Sequence, residues 1–142
     1  MQGPKEDNFH HLWHMIWQET SEVAVIMMLT RTCELGRDKC FPYFPEDIGS
    51  EPLTIDGDGE FEDNFEATIT LLEKTKDKRS SSIVRKILLK VGDKERIVWH
   101  LLFEGWPDHD VPGGEGRNAL LEVIKLANEK NSGPQNPLIV HC

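Results

Sequence analysis

A histidine and a cysteine, His141 and Cys142, directly follow the apolar run "PLIV" in this sequence. A cysteine is a good nucleophile only as a thiolate, and at its unperturbed pKa of about 8.5 only a few per cent is ionised at pH 7. Backbone N–H groups between a strand end and a helix can lower that pKa and can also bind a phosphate. The residues alone leave two interpretations of Cys142 open, a nucleophile and a buried strand cysteine.

A second candidate is Asp108, in the segment "GWPDHDVP". Pro107 and Pro112 cannot sit inside a β-ladder, so the segment is predicted to be a loop. An aspartate beside the apolar Trp106 can act as a general acid, because burial against an aromatic surface raises its pKa. By itself the pattern also fits a prolyl turn with solvated aspartates.

Other polar patterns give no cofactor or metal site. His10 and His14 have the i, i+4 spacing of a metal-binding pair, but the sequence shows no third ligand. The run "TIDGDGEF" is similar to part of a calcium loop, yet alignment on its glycine puts Phe65 where the bidentate glutamate belongs. We predict that the protein uses no metal and no cofactor.

Composition indicates one globular domain of 142 residues, with 38% hydrophobic and 29% charged residues. The longest apolar run, Val23 to Leu29, is too short to cross a bilayer, and we expect a cytoplasmic or nuclear protein without membrane partners. The net charge of −9 comes from nine acidic residues between Glu46 and Glu66, so nucleic acid is not predicted as a partner. The cysteines Cys33, Cys40 and Cys142 are expected to be free thiols.

Hydrophobic periodicity predicts the elements that position these residues. A first helix should start after an N-cap at Asn8 and bury Phe9, Leu12, Trp13, Ile16 and Trp17. The run "VAVIMML" predicts a strand covered on both faces, and residues 38–52 a loop.

Period-two alternation predicts an antiparallel block from Phe65 through "SIVRKILLKV" and "ERIVWHLLF", with Gly92-Asp93 as a tight turn. A second helix from about Glu115 to Lys130 should bury Leu120, Leu121, Ile124 and Ala127. The run "PLIV" predicts a last strand buried on both faces. The fold class is therefore α/β or α+β, with a mixed sheet and helices.

Five blocks in this order, "QGP", "FHHLWHMIW", "VIMMLTRTCELGRDKCFPYFP", "GWPDHDVP" and "PLIVHC", resemble the classical protein-tyrosine phosphatase domain. The resemblance implies a highly twisted mixed β-sheet flanked by helices. It also implies metal-free hydrolysis of phosphotyrosine in proteins through a cysteinyl-phosphate. Phe44, as a variant of the family's aromatic-proline motif, and the acidic segment from Glu46 to Glu66 are similar to features of fungal members.

By resemblance, Cys142 is the nucleophile and Asp108 is first general acid and then general base. The same resemblance implies supporting roles for His141 beside the thiolate, for Trp106 and Pro107 in loop closure, and for Glu34 and Lys39 next to the phosphate-binding arginine and the general acid. Tyr43, Trp13 and Trp17 match structural positions of the family and are predicted to be core residues.

Residues 1–142 resemble the central part of one such domain, up to the nucleophile position. Family members continue from the cysteine into a loop that ends in a phosphate-binding arginine, and they have a substrate-gripping tyrosine loop upstream of "QGP". We therefore expect residues 1–142 alone to be inactive, with the remainder of the domain as a candidate partner. Asp110 stands where the family usually has glycine. Glycine has more backbone freedom, so the resemblance implies that this loop closes less easily. The alternative function is a non-catalytic module that binds phosphotyrosine.

Overall fold

The computed structural model describes residues 9–29, 33–34, 37–38, 43–55, 65–104 and 115–141. Two helices and eight strands lie in these ranges. In chain order they are α1 (Phe9–Glu19), β1 (Val23–Met28), β2 (Cys33–Glu34), β3 (Arg37–Asp38), β4 (Leu53–Ile55), β5 (Ala67–Asp77), β6 (Ser82–Val91), β7 (Lys94–Phe103), α2 (Glu115–Lys130) and β8 (Leu138–His141).

One mixed sheet organises the described part of the chain. Its six strands lie in the order β4-β5-β6-β7-β1-β8, and β2 pairs with β3 in a separate two-stranded ladder. The pairs β4–β5, β5–β6 and β6–β7 are antiparallel, whereas β1 is parallel to both β7 and β8. The predicted antiparallel block and its turn are confirmed, with Gly92 at a φ of 59° that glycine adopts without strain. The expected mixed sheet with helices is also confirmed.

The sheet has an apolar core on each face. The α1 face holds a cluster of buried side chains from the helix, the loop at Tyr43 and Phe44, and alternate positions of the strands. The α2 face holds a smaller cluster that includes Val25, Met27 and Leu101. β1 contributes to both clusters, so the prediction of a strand covered on both faces is confirmed for β1.

Two sequence predictions about burial are wrong. In α2, Leu121 and Ile124 are 57% and 38% exposed, contrary to the prediction, whereas Ala127 is buried as predicted, together with Val123. The helix carries apolar residues on two sides, and the side with Val123 and Ala127 faces the strands. β8 also alternates, with Val140 39% exposed, because among the described strands it is an edge strand that pairs only with β1.

Arg96 fastens the carboxyl end of α1 to β7. Its Nη1 donates to the Trp17 carbonyl oxygen at 2.7 Å and to Thr20 Oγ1 at 3.0 Å, and its guanidinium carbon lies 4.2 Å from the centre of the Trp17 ring. Partial burial lowers the pKa of Arg96 below its usual value, but the group stays cationic at neutral pH. The positive charge also complements the negative end of the helix dipole.

We expect Arg96→Leu to lower the free energy of unfolding by about 1–3 kcal/mol, because it removes charge-assisted hydrogen bonds and leaves a partly buried carbonyl unpaired. Urea denaturation measures the change. Lys94→Leu is the control, since Lys94 is an exposed cation on the same strand. Equal effects of the two substitutions would contradict the prediction.

Within the ranges that the structure describes, neither helix is long and apolar enough to span a bilayer.

Candidate functional site

The predicted site residues fall unevenly on the described part of the chain. His141 closes β8, and Glu34 lies in β2, where it pairs with Arg37 across the ladder. The remaining site residues, and with them the predicted N-cap Asn8, lie outside the described residues: Cys142, Asp108, Trp106, Pro107 and Lys39. The structure therefore defines the surroundings of the residue immediately before the predicted nucleophile.

The backbone of His141 is held by β1. His141 is in register with Met28, and the Leu29 N–H donates to the His141 carbonyl oxygen at 2.9 Å. Its ring is fully buried on the same face of the sheet as α1. The carboxyl ends of the parallel strands β1 and β8 thus meet where the chain continues to Cys142, which is the usual location of ligand sites in parallel sheets.

Asn136 fixes the amino end of the same strand. Its Oδ1 accepts a hydrogen bond from the Ser21 N–H at 3.0 Å, while its Nδ2 donates to the Val23 carbonyl oxygen at 2.7 Å and to Asn131 Oδ1 at 2.7 Å. One buried amide therefore links the starts of β1 and β8. This role of Asn136 was not predictable from the sequence, because an Asn-Pro pair indicates only a turn.

Tyr43 connects His141 to a second buried histidine. The Tyr43 hydroxyl oxygen lies 2.5 Å from His141 Nε2 and 3.1 Å from His100 Nε2, and all three side chains are fully buried. The Trp13 indole N–H donates to the Tyr43 carbonyl oxygen at 2.9 Å and holds the residue from the α1 side. We call His141, Tyr43 and His100 the tyrosine–histidine chain. The prediction that Tyr43 and Trp13 are core residues is confirmed, but the bonded hydroxyl was not foreseen.

His100 is held neutral by its surroundings. Burial, the charge of Arg85 and the neighbouring His141 together put the pKa of His100 well below its usual 6.5. The Phe44 ring stacks against the imidazole with centroids 4.0 Å apart. Among the described residues, no group makes a hydrogen bond to His100 Nδ1, which is buried.

Arg85 brings a positive charge to this face of the sheet. It is only 3% exposed, is in register with His100, donates from Nε to the Glu46 carbonyl oxygen at 3.1 Å and lies 4.8 Å from the Phe44 ring centre. Burial lowers the pKa of Arg85, while the charges of acidic neighbours oppose that shift. A guanidinium nevertheless stays protonated in a protein, so the site has a fixed cation.

Arg85 and His100 were not among the residues predicted from the sequence, although a signal was present. In the strand runs "SIVRKILLKV" and "ERIVWHLLF", each stands at an inward position, between apolar residues two places away on either side. A polar residue at an inward position is costly unless it is bonded or has a function. An arginine or histidine that interrupts the apolar alternation of a strand therefore indicates a buried polar contact.

The arrangement is matched by known proteins. Residues 1–142 match the family described as protein-tyrosine phosphatase. Tyrosine-protein phosphatase 1 of Dictyostelium discoideum is 33% identical over 145 residues, which cover 99% of this chain and 27% of that protein.

Solved structures give the same result for the fold. The catalytic domain of human protein tyrosine phosphatase non-receptor type 18 superposes with a TM-score of 0.78 at 28% identity, over 100% of this chain and 45% of that chain. A second structure of the type 18 enzyme, in complex with HER2 phosphopeptides, gives a TM-score of 0.77 at 27% identity, over 99% of this chain and 47% of that chain.

The chain therefore spans less than half the length of these relatives. The resemblance inferred from the five sequence blocks is confirmed, while the similarity to fungal members stays a prediction. The match over residues 1–142 and the shared twisted mixed sheet show that the chain belongs to the protein-tyrosine phosphatase family.

Proposed function

We propose that this protein hydrolyses phosphotyrosine in proteins through a covalent cysteinyl-phosphate. The observation that carries the proposal is the site at the end of β8. His141 is buried, its ring is hydrogen-bonded to the Tyr43 hydroxyl, and its backbone carbonyl is hydrogen-bonded to the Leu29 N–H at the end of β1. The predicted nucleophile Cys142 is the next residue. A residue fixed on both ring and backbone gives its neighbour a defined position, which nucleophilic catalysis requires.

In the proposed first step, the Cys142 thiolate attacks phosphorus and the bond from phosphorus to the tyrosyl oxygen breaks, while Asp108 protonates the departing oxygen. In the second step the Asp108 carboxylate takes a proton from water, and the resulting hydroxide displaces the thiolate and releases inorganic phosphate. Trp106 and Pro107 set the closed position of the Asp108 loop, Glu34 steadies the phosphate-binding arginine, and Lys39 steadies Asp108. The family membership of residues 1–142 supports these assignments.

The proposed substrate is a phosphotyrosine-containing protein in the cytoplasm. The type 18 enzyme was solved with phosphopeptides, which is a property of that enzyme and supports the same substrate class for this chain. The buried Arg85 adds positive charge to the face of the sheet that carries His141, which favours a thiolate and a phosphate dianion there.

Phosphate release from a phosphotyrosine peptide tests the proposal, with residues 1–142 alone and with the longest natural polypeptide that contains them. We expect release from the longer polypeptide, loss of release to background on Cys142→Ser, and retention on Cys33→Ser, which changes a cysteine in β2 that has no predicted role in the reaction. The expectation that residues 1–142 alone are inactive stays a prediction that the same assay checks. Peptide binding without turnover in every polypeptide would refute the proposal and favour the binding module.

A further inference from the structure

The hydrogen bonds of the tyrosine–histidine chain can run in more than one direction. The Tyr43 hydroxyl has one hydrogen, and its oxygen faces a ring nitrogen of His100 on one side and of His141 on the other. A neutral imidazole has one N–H and one bare nitrogen. The hydroxyl hydrogen can point to only one of the two rings, so the two histidines do not have equivalent roles.

The surroundings of His100 decide its role. If Tyr43 donated to His100 Nε2, the proton of the neutral ring would sit on Nδ1, where none of the described groups accepts it. An orphaned buried N–H is rarer in proteins than an acceptor with a spare lone pair. The ring proton therefore sits on Nε2 and is donated to the Tyr43 oxygen. Complete burial, with the charge of Arg85 on the neighbouring strand, disfavours a second proton on His100, so that Nδ1 stays bare.

The direction then continues to His141. With His100 donating to its oxygen, the Tyr43 hydroxyl donates its own hydrogen to His141 Nε2 at 2.5 Å. Hydrogen bonds that run in one direction polarise one another and are stronger than two donors converging on a single oxygen. His141 Nε2 is consequently an acceptor, and the proton of the neutral ring is on Nδ1.

We propose that His100 is a positioning residue which, through Tyr43, keeps His141 in its Nδ1-protonated form next to Cys142. The proposal rests on the proposed function for its catalytic meaning. Nδ1 is the ring nitrogen nearer to the backbone, so its N–H is the donor on the side of the ring that leads to Cys142. A fixed donor there stabilises a thiolate, whereas a bare nitrogen would compete with the thiolate for a proton.

Nitrogen NMR of the chain labelled with ¹⁵N only in histidine tests the assignment, because protonated and bare ring nitrogens differ widely in chemical shift. We expect, at neutral pH, His100 protonated on Nε2 and bare on Nδ1, and His141 protonated on Nδ1 and bare on Nε2. His100→Gln and Tyr43→Phe assign the two signals. A proton on His100 Nδ1, or on His141 Nε2, overturns the proposal.

Two variants separate positioning from packing. His100→Gln keeps an N–H donor for Tyr43 and should leave the His141 tautomer unchanged. His100→Leu removes the donor, frees the Tyr43 oxygen to accept, and should raise the ratio of Nε2-protonated to Nδ1-protonated His141 by about fivefold, the size expected for one ordinary hydrogen bond. Val98→Ala is the control, since Val98 is buried on the same strand and face but belongs only to the apolar cluster.

Equal tautomer ratios in His100→Leu and His100→Gln, or the same shift in Val98→Ala, overturn the proposal. The rate at which iodoacetamide alkylates Cys142 near pH 7 gives a second readout. It should fall in His100→Leu and stay at the parent value in His100→Gln. Neither measurement needs turnover. An absence of phosphate release with the expected tautomers would therefore refute the proposed function and leave the hydrogen-bond chain standing.

Discussion

Replacing Trp13 with alanine is expected to lower the free energy of unfolding by about 3–5 kcal/mol, the usual cost of removing a buried tryptophan. The Trp13 side chain is fully buried, packs edge-on against Tyr43 with ring centroids 6.0 Å apart, and donates its indole N–H to the Tyr43 carbonyl oxygen. Alanine leaves a cavity under α1 and an unpaired buried carbonyl. Both changes affect Tyr43, whose hydroxyl is hydrogen-bonded to His141.

Urea or thermal unfolding measures the loss, and two variants divide it. Trp13→Phe keeps most of the ring volume and removes the hydrogen bond, so its smaller cost of about 1–3 kcal/mol isolates the unpaired carbonyl. Trp17→Ala truncates a tryptophan of the same helix that is only half-buried, and it should cost less than Trp13→Ala. A Trp13→Ala protein as stable as Trp17→Ala would show that α1 does not anchor the core through Trp13.

Acid should destabilise the folded chain through His100. The folded-state pKa of His100 lies well below 6.5, so between that pKa and 6.5 the unfolded chain binds a proton that the folded chain does not bind. The contribution to stability is therefore complete above pH 6.5 and is lost as the pH falls, by up to about 1.4 kcal/mol per pH unit.

Urea unfolding at a series of pH values from 7 to 4 measures this loss, with His100→Gln as the matched control. Glutamine does not titrate, so the difference between the two proteins isolates His100, while contributions from Arg85, His141 and the carboxylates largely cancel. The parent should lose stability faster than His100→Gln as the pH falls. Parallel curves would mean that His100 takes up a proton in the folded chain as readily as in the unfolded chain.

Local patterns predicted much of the fold correctly. β6 has the bounds Ser82–Val91 that "SIVRKILLKV" indicated, because a period of two with a Gly92-Asp93 turn is a signal within a few residues. α1 was recognisable for the same reason, since its aromatic residues repeat on one face.

Features that depend on distant neighbours were not predictable in this way. The apolar residues of α2 lie on two sides, so only the packed strands determine that Val123 faces inward and Leu121 outward. β8 was expected to be buried on both faces, but its burial depends on whether another strand lies beside it, which the run "PLIV" cannot show.

The predicted site also contains both kinds of feature, local motifs and contacts between distant residues. The order of the blocks predicts His141 and Cys142 as site residues, since they are adjacent in a block that resembles a family motif. The bond from Tyr43 to His100 spans 57 residues and the bond from Tyr43 to His141 spans 98, so no local pattern connects them. The sequence pattern indicates that His100 faces inward, but it does not indicate that Tyr43 is its hydrogen-bond partner.

The position of β1 in the sheet has a consequence for how the chain folds. Val25 is in register with both Trp99 and Leu138, so each parallel ladder must close a long stretch of chain before its hydrogen bonds form. The β5–β6–β7 meander needs only short turns. Because loop-closure entropy is paid before distant contacts are gained, the contact order is high on the side of the sheet that carries His141 and low on the other. Among the strand pairings that the structure describes, those of β1 with β7 and β8 join the most distant residues, so we expect the predicted site to form after the meander.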